Sequence, residues 1–392
     1  MGSFHGKHAL PTELFMKLAR IHAPSGHERE TADFCKEMLE RMGACVIEDD
    51  AGKKIGGNAG NIIAVFEGEN KAIPSILLNA HMDTVEPGGP IVPIIKGTRI
   101  VSKTDTILGA DNRAGLVMIL LGLEDLLAKY KAMPCTIEVV LTISEESGLQ
   151  GAYGLDYGQF KSKYGFSLDS SGLGRIGIGA PYYNAVTVIA KGRSSHAAVN
   201  PDKGINSILV MSDILKKFPF GQIDPETTAN VGTVTGGTAR NVVPDTCVTE
   251  LEIRSHNLNT IDALTEVLRN ICENTREKWQ VNLGEKVISS MIDVQVRREF
   301  DGFLLDSDSP VVACASQALK AIGRDVTQSR NMGGSDANVF NANNIQTAVI
   351  GTGQTAVHSH DEYIEIKDLS DGVALVPRLV ETWMQWWTQK KA

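Results

Sequence analysis

Between Tyr182 and Val294 the hydrophobic pattern reads strand, helix, strand, strand, helix, strand, while on both sides of this block strands and helices alternate. A β-α-β-β-α-β order is a ferredoxin-like unit with a sheet of its own. Alternating strands and helices instead imply a largely parallel sheet covered on both faces. The two patterns call for two cores, and 392 residues exceed one typical domain. The expected fold is α/β: a mixed, mostly parallel sheet formed by residues 1–180 and 297–392, with a ferredoxin-like α+β domain, 181–296, inserted into it.

In the outer segments, Leu14, Phe15, Leu18 and Ile21 recur at helical spacing behind Pro11, predicting a helix over 11–22. Further helices are expected at 28–42, 114–130, 310–322 and 367–387. Trp383, Trp386 and Trp387 share a face of the last one and read as packing or interface residues. Strands are expected at 45–48, 61–66, 135–143, 164–168 and 345–350, and an apolar run from Ile76 leads into His81. The inserted block predicts strands at 185–190, 231–235, 247–254 and 287–294, with helices at 205–218 and 260–278.

A net charge of −9 argues against a nucleic-acid or anionic-membrane surface. No apolar run reaches the roughly 18 residues a membrane span needs. The first residues lack the apolar core of a signal peptide, and the six scattered cysteines form no C-x-x-C pair, so a cytoplasmic address with reduced thiols is expected. His5 and His8 are expected in a loose N-terminus. His22, His27 and His256 read as ordinary surface or helix-end histidines.

The chemistry concentrates at strand ends. His81 and Asp83, two apart, would share a face where a buried strand opens onto a loop, which is where open α/β sheets bind ligands. Asp111, Glu145-Glu146, Asp169 and His358 also fall at strand ends or in the loops that follow. Burying one carboxylate there costs several kcal/mol unless something offsets it. Several on one edge point to a shared cation. Imidazole and carboxylate without thiolate suit catalytic zinc, with cobalt or manganese as alternatives. The donors outnumber the needs of one tetrahedral ion and fit two ions that share a carboxylate. Adjacent glutamates fit a division of labour in which one binds metal and the other moves a proton.

Taken in order, the motifs are Ala23-Pro24-Ser25-Gly26, His81-Met82-Asp83-Thr84, Gly109-Ala110-Asp111-Asn112-Arg113-Ala114-Gly115, Ser144-Glu145-Glu146-Ser147-Gly148, Gly192-Arg193-Ser194-Ser195-His196-Ala197, Asn241-Val242-Val243-Pro244-Asp245, Gly333-Gly334-Ser335-Asp336-Ala337-Asn338 and His358-Ser359-His360-Asp361-Glu362-Tyr363. Together they resemble the co-catalytic zinc exopeptidases that include peptidase T, glutamate carboxypeptidase and succinyl-diaminopimelate desuccinylase, most closely the peptidase T-like branch. The resemblance implies two zinc ions: His81 and Asp169 complete one site, Glu146 and His358 the other, and Asp111 bridges them. It makes Glu145 the general base, Asp83 the residue that orients His81, and His196 the group that stabilises the oxyanion. Asn241 and Arg254 match substrate-binding positions. The inserted domain matches a lid and dimerisation domain, so a homodimer is expected. His358 is preferred to His360 because Glu362 follows it by four residues, as in the family motif.

The implied activity is cleavage of an amide bond in a small peptide, with aminopeptidase action on tripeptides leading. A carboxypeptidase, a dipeptidase or an N-acyl-amino-acid deacylase stays open, and a non-catalytic metal-binding paralogue is the outsider. In one respect the chain departs from peptidase T. Met332 stands where peptidase T carries an arginine for the substrate's carboxylate, and the nearest arginine is Arg330.

Overall fold

All six residues of the Ile76–His81 strand are buried, and so are all six of Ile137–Thr142. Such continuously buried, mostly apolar runs suit strands covered on both faces. In the computed structural model, which describes residues 11–390, these two strands lie side by side in parallel, with His81 opposite Thr142. His5 and His8 lie outside the described residues. Ile76–His81 also pairs in parallel with Tyr164–Ser170, which pairs in parallel with Gln346–Gly351. Antiparallel strands flank this centre: Ile62–Phe66 and Cys45–Glu48 on one side, Arg175–Ala180 on the other. The sheet is mixed with a parallel centre, so the carboxyl ends that carry His81, Glu145 and Asp169 open along one edge.

The Ala110–Tyr130 helix is apolar on nearly every side and correspondingly buried. Gly115 lets it approach the sheet closely, because a Cβ there would lie 2.4 Å from the Leu168 carbonyl oxygen. That contact sets Asp111, at the start of the helix, near Asp169. The closing helix Ile366–Gln389 packs through Trp383, which is fully buried, donates its indole N–H to the Pro74 carbonyl at 2.8 Å and meets the rings of Tyr164, Phe166 and Trp387 tilted or edge to face. The expected packing role holds for Trp383 and Trp387.

The described residues form two compact units, one up to Gly179 and from Leu304, the other Ala180–Phe303. In the second, the antiparallel sheet runs Gly221–Asp224, Thr227–Gly236, Thr246–Ser255, Tyr182–Lys191, Met291–Phe300. Helices Ser207–Leu215 and Leu258–Lys278 supply Val210, Ile214 and Leu268 to a core with Val186, Val188, Leu251 and Ile253. Burial alternates along Tyr182–Lys191, as it does on a sheet with one covered face.

The chain leaves this unit later than the expected 297. Met291–Phe300 continues to pair, with Phe300 opposite Tyr183. The single strand expected at 287–294 is two elements. Gln280–Leu283 and Lys286–Ser289 form a hairpin around Gly284 at φ +69°, and Met291–Phe300 joins the main sheet of the unit. The four-residue strands Pro93–Lys96, Arg99–Ser102 and Thr327–Arg330 were not anticipated, being too short to show a sustained alternation. Among the described residues no helix is long and apolar enough to cross a membrane.

Candidate metal centre

His81 closes its strand with a side chain only 2% exposed, and each ring nitrogen faces carboxylate oxygen. Nδ1 lies 3.1 Å from the Asp83 carbonyl oxygen and 3.2 Å from Asp83 Oδ1. The Asp83 carboxylate also accepts the Ser25 hydroxyl at 2.6 Å and the N–H groups of Glu145 and Glu146, each at 3.1 Å. One fully buried carboxylate thus sets the ring of His81 and the backbone of both glutamates. Burial alone would raise its pKa, but His81, Ser25 and the Glu145 N–H hold it below the usual carboxylate value.

The other nitrogen of His81, Nε2, lies 3.1 Å from Asp111 Oδ1 and 3.7 Å from Asp169 Oδ1. Asp111 and Asn112 depart from helical φ/ψ at the head of the Ala110–Tyr130 helix, and the peptide between them is cis. The second oxygen of Asp111 lies 3.4 Å from His358 Nε2, which is 2.8 Å from Glu146 Oε1. Two triplets of donors result, His81–Asp111–Asp169 and Asp111–Glu146–His358, each with ligating atoms within 4.8 Å of one another. Asp111 belongs to both. A third grouping joins His81 to Glu145 and Glu146. Among the described residues, His22, His27, His256 and His360 enter no such group.

A divalent cation would offset the electrostatics of this cluster. Burial raises Glu145 well above the usual carboxylate value, with Asp169, Asp336 and Glu146 adding to the rise and His81 opposing it. Burial also raises Glu146 and Asp169. For His81, burial is outweighed by Asp111, Asp169 and Asp83, which lift it well above the usual imidazole value. Hydrogen bonds to Asp111 and Glu146 push His358 up to about 10. Asp111 is held low despite its burial by His358 and His81. Asp83, Asp111, Glu145, Glu146 and Asp169 outnumber the two imidazoles, so full ionisation leaves buried negative charge that ring protons cannot balance. Imidazole nitrogen and carboxylate oxygen without thiolate are donors for a divalent ion of the zinc, cobalt or manganese type, and two triplets sharing Asp111 fit two of them.

The inserted unit carries the remaining expected residues. His196 and Asn241 lie together: His196 bridges to Val242, and the Ala197 N–H donates to the Asn241 carbonyl at 3.0 Å. The exposed His196 ring accepts the N–H groups of Ala198 and Val199 at Nδ1, both at 3.2 Å, so its neutral form carries its proton on Nε2. Arg254 is elsewhere. It pairs with Tyr183, while Thr246 at the other end of the strand pairs with Lys191, just before the His196 segment. Eight residues of strand, roughly 26 Å, separate the two ends. The Arg254 guanidinium stacks 4.1 Å over Tyr183 and reaches Glu252 at 3.1 Å.

Three buried groups beside the centre went unassigned in the sequence. Asp336 is 1% exposed, accepts hydrogen bonds from Thr142 and Asn79, and is pushed up to about 6 by burial. Glu28, fully buried, accepts the N–H and hydroxyl of Ser144 next to Glu145. Arg113 donates to the Met82 carbonyl, between His81 and Asp83. Each lies within or beside a quoted motif, but only the tertiary fold turns their side chains toward the site.

The sequence from 77 to 382 matches the model of Peptidase family M20/M25/M40. The chain belongs to that family. It is 33% identical over 370 residues to the uncharacterized protein YqjE of Bacillus subtilis (strain 168), covering 94% of this chain and 97% of that protein. Among solved structures it resembles the aminopeptidase PepT of Bacillus cereus ATCC 10987, with 34% identity, a TM-score of 0.87, and coverage of 96% of this chain and 98% of the other. It also resembles a tripeptidase of Staphylococcus aureus subsp. aureus Mu50, at 28% identity and a TM-score of 0.89 over 96% and 98% of the two chains. Membership makes this M20 chain a metallopeptidase, and its donor triplets are residues able to hold the metal.

Proposed function

We propose that the protein is a tripeptide aminopeptidase of the peptidase T kind, working with two zinc ions. The observation that carries the reading is Asp111 standing between His81 with Asp169 and Glu146 with His358, beside a buried glutamate that takes part in neither triplet. The similarity to an aminopeptidase PepT and to a tripeptidase supports the substrate class. When bound, the ions would polarise the scissile carbonyl and acidify the attacking water. Glu145, 9% exposed and outside both triplets, is placed to take the proton of that water and hand it to the leaving amine. Asp83 keeps Glu145 and His81 in place through the contacts described above. To His196 we assign the oxyanion donor, since its Nε2–H is the ring group left to donate. Asn241 and Arg254 are proposed substrate contacts, and 180–303 the lid through which two copies pair. All six cysteines are free thiols, which supports a reducing, cytoplasmic setting.

The test is a substrate panel offered to chelator-stripped protein restored with zinc, cobalt or manganese. Metal-dependent release of the first residue from Ala-Ala-Ala, with N-acetyl amino acids and C-terminal-glutamate peptides untouched, is the expected outcome. Cleavage of N-blocked substrates instead would move the protein to a deacylase branch.

A further inference from the structure

Glu362 is 2% exposed, yet its carboxylate accepts three backbone N–H groups from a single turn about 250 residues earlier in the chain. Oε2 receives the N–H of Leu108 and of Gly109, each at 2.7 Å, and Oε1 receives the N–H of Asp111 at 3.0 Å. These donors belong to the non-helical turn at the head of the Ala110–Tyr130 helix, where Gly109 sits at φ +73° and Asp111 leaves the helical region. Buried N–H groups at a helix start have no partner within the helix and need an acceptor. At its own end, the Glu362 N–H donates to the Ser359 carbonyl at 3.2 Å, closing the short loop that begins at His358. The next residue, Tyr363, pairs with Val101 in an antiparallel ladder, so this end is anchored as well.

We propose that Glu362 is a positioning residue that ties the His358 loop to the Asp111 turn and thereby sets the affinity of the Asp111–Glu146–His358 metal site. The inference rests on the metal reading above. The carboxylate grips the backbone of one ligand and lies four residues from another. A shift of either loop therefore changes the separation of Asp111 Oδ2 and His358 Nε2. His81 and Asp169 are held independently, by the strand and by Asp83. Three acceptor bonds use both oxygens, so an amide of the same shape leaves an N–H facing an N–H.

The measurement is zinc binding by chelator competition on wild type and Glu362→Gln, both checked for folding by thermal melting. Wild type is expected to bind two ions per chain. E362Q is expected to bind both ions more weakly, because Asp111 serves both triplets, with the larger loss, about 10–100-fold, at the second, which also depends on the His358 loop. Asp371→Ala, which removes the ion pairs to Arg324 and Lys367 in the same unit, controls for lost stability and should keep both affinities. Equal affinities for both ions in E362Q and wild type would overturn the clamp while leaving the metal reading intact. A wild type that binds no zinc would overturn the metal reading itself. Amide exchange gives a readout on the unaltered chain: slow exchange at Leu108, Gly109 and Asp111 supports the clamp, and exchange as fast as in exposed loops refutes it.

Discussion

His81 ends a strand whose residues are all buried, and its side chain is 2% exposed; His358 stands in a loop at φ +59° with its side chain 47% exposed. The two histidines serve corresponding places in the two donor triplets, yet they are positioned by different means. The His81 half is set by strand pairing, by packing on both faces and by the four contacts of Asp83. The His358 half depends on hydrogen bonds that bring separate loops together. One half is therefore expected to behave as part of the core, and the other to respond to the contacts around its loop.

Glu145 belongs to the strand-built half, and its replacement should have the largest effect. Glu145→Gln is expected to reduce turnover of a tripeptide about 10²–10⁴-fold, the usual contribution of a positioned proton carrier, with the metal content of the protein unchanged. Metal analysis beside steady-state kinetics checks both parts. Loss of metal together with turnover would make Glu145 a ligand and redraw the division between the halves.

The next effect is on stability. Asp336 lies under the strand-built half, its carboxyl displaced by burial from the ordinary 3.8 to about 6. A raised acid pKa means that the folded protein holds a proton the unfolded chain has released. Stability contributed by the neutral carboxyl is then lost as pH rises from about 3.8 through about 6. The displacement corresponds to about 3 kcal/mol. In metal-stripped protein, Asp336→Asn should remove this part of the pH dependence, so that denaturant midpoints of wild type and variant diverge toward neutral pH. Parallel curves across that window would show that Asp336 is not strained by its burial.

A smaller loss is expected from Asp83→Asn. The amide can accept only on one atom, so it cannot keep the Glu145 N–H, the Glu146 N–H and the Ser25 hydroxyl on two oxygens. Metal affinity and turnover should each fall about 10–100-fold. Because Asp83 supports His81 in one triplet and the backbone of Glu146 in the other, both metal affinities should drop. A loss confined to one ion would limit Asp83 to the orientation of the His81 ring.

The same contrast explains what could be read from the residues. The buried runs before His81 and before Glu145, and the β-α-β-β-α-β order of the insertion, follow from hydrophobic periodicity, which is a local signal. His196 beside Asn241 was visible only as two separate motifs, and the opposite placement of Arg254 was not visible at all, because strand register decides it. Asp336, Glu28 and Arg113 sit far in sequence from the residues they bond beside the centre. No spacing rule connects Glu28 to Ser144 or Asp336 to Asn79; the sheet brings them together. Ser290 illustrates the converse, since the stretch 287–294 reads as one continuous strand yet breaks there into the second arm of a hairpin, Lys286–Ser289, and the separate strand Met291–Phe300.

His358 and His360 lie two residues apart in one loop, and periodicity alone does not choose between them. The structure places His358 Nε2 against Glu146 and Asp111, while His360 Nδ1 faces Asp105 at 2.7 Å. The side chains of His360 and Asp105 are 58% and 92% exposed. A pair so exposed contributes at most a few tenths of a kcal/mol to about 1 kcal/mol. His360→Ala should therefore change zinc affinity and turnover by no more than about fivefold, and leave the first-bound ion untouched. His358→Ala removes a donor from the loop-built triplet, so the second ion should be lost while His81, Asp111 and Asp169 retain the first. Equal losses in the two variants would mean that the loop as a whole, rather than the His358 ring, holds that half of the centre. The strand-built and loop-built halves would then differ in how many groups fix each ligand, not only in how deeply each ligand is buried.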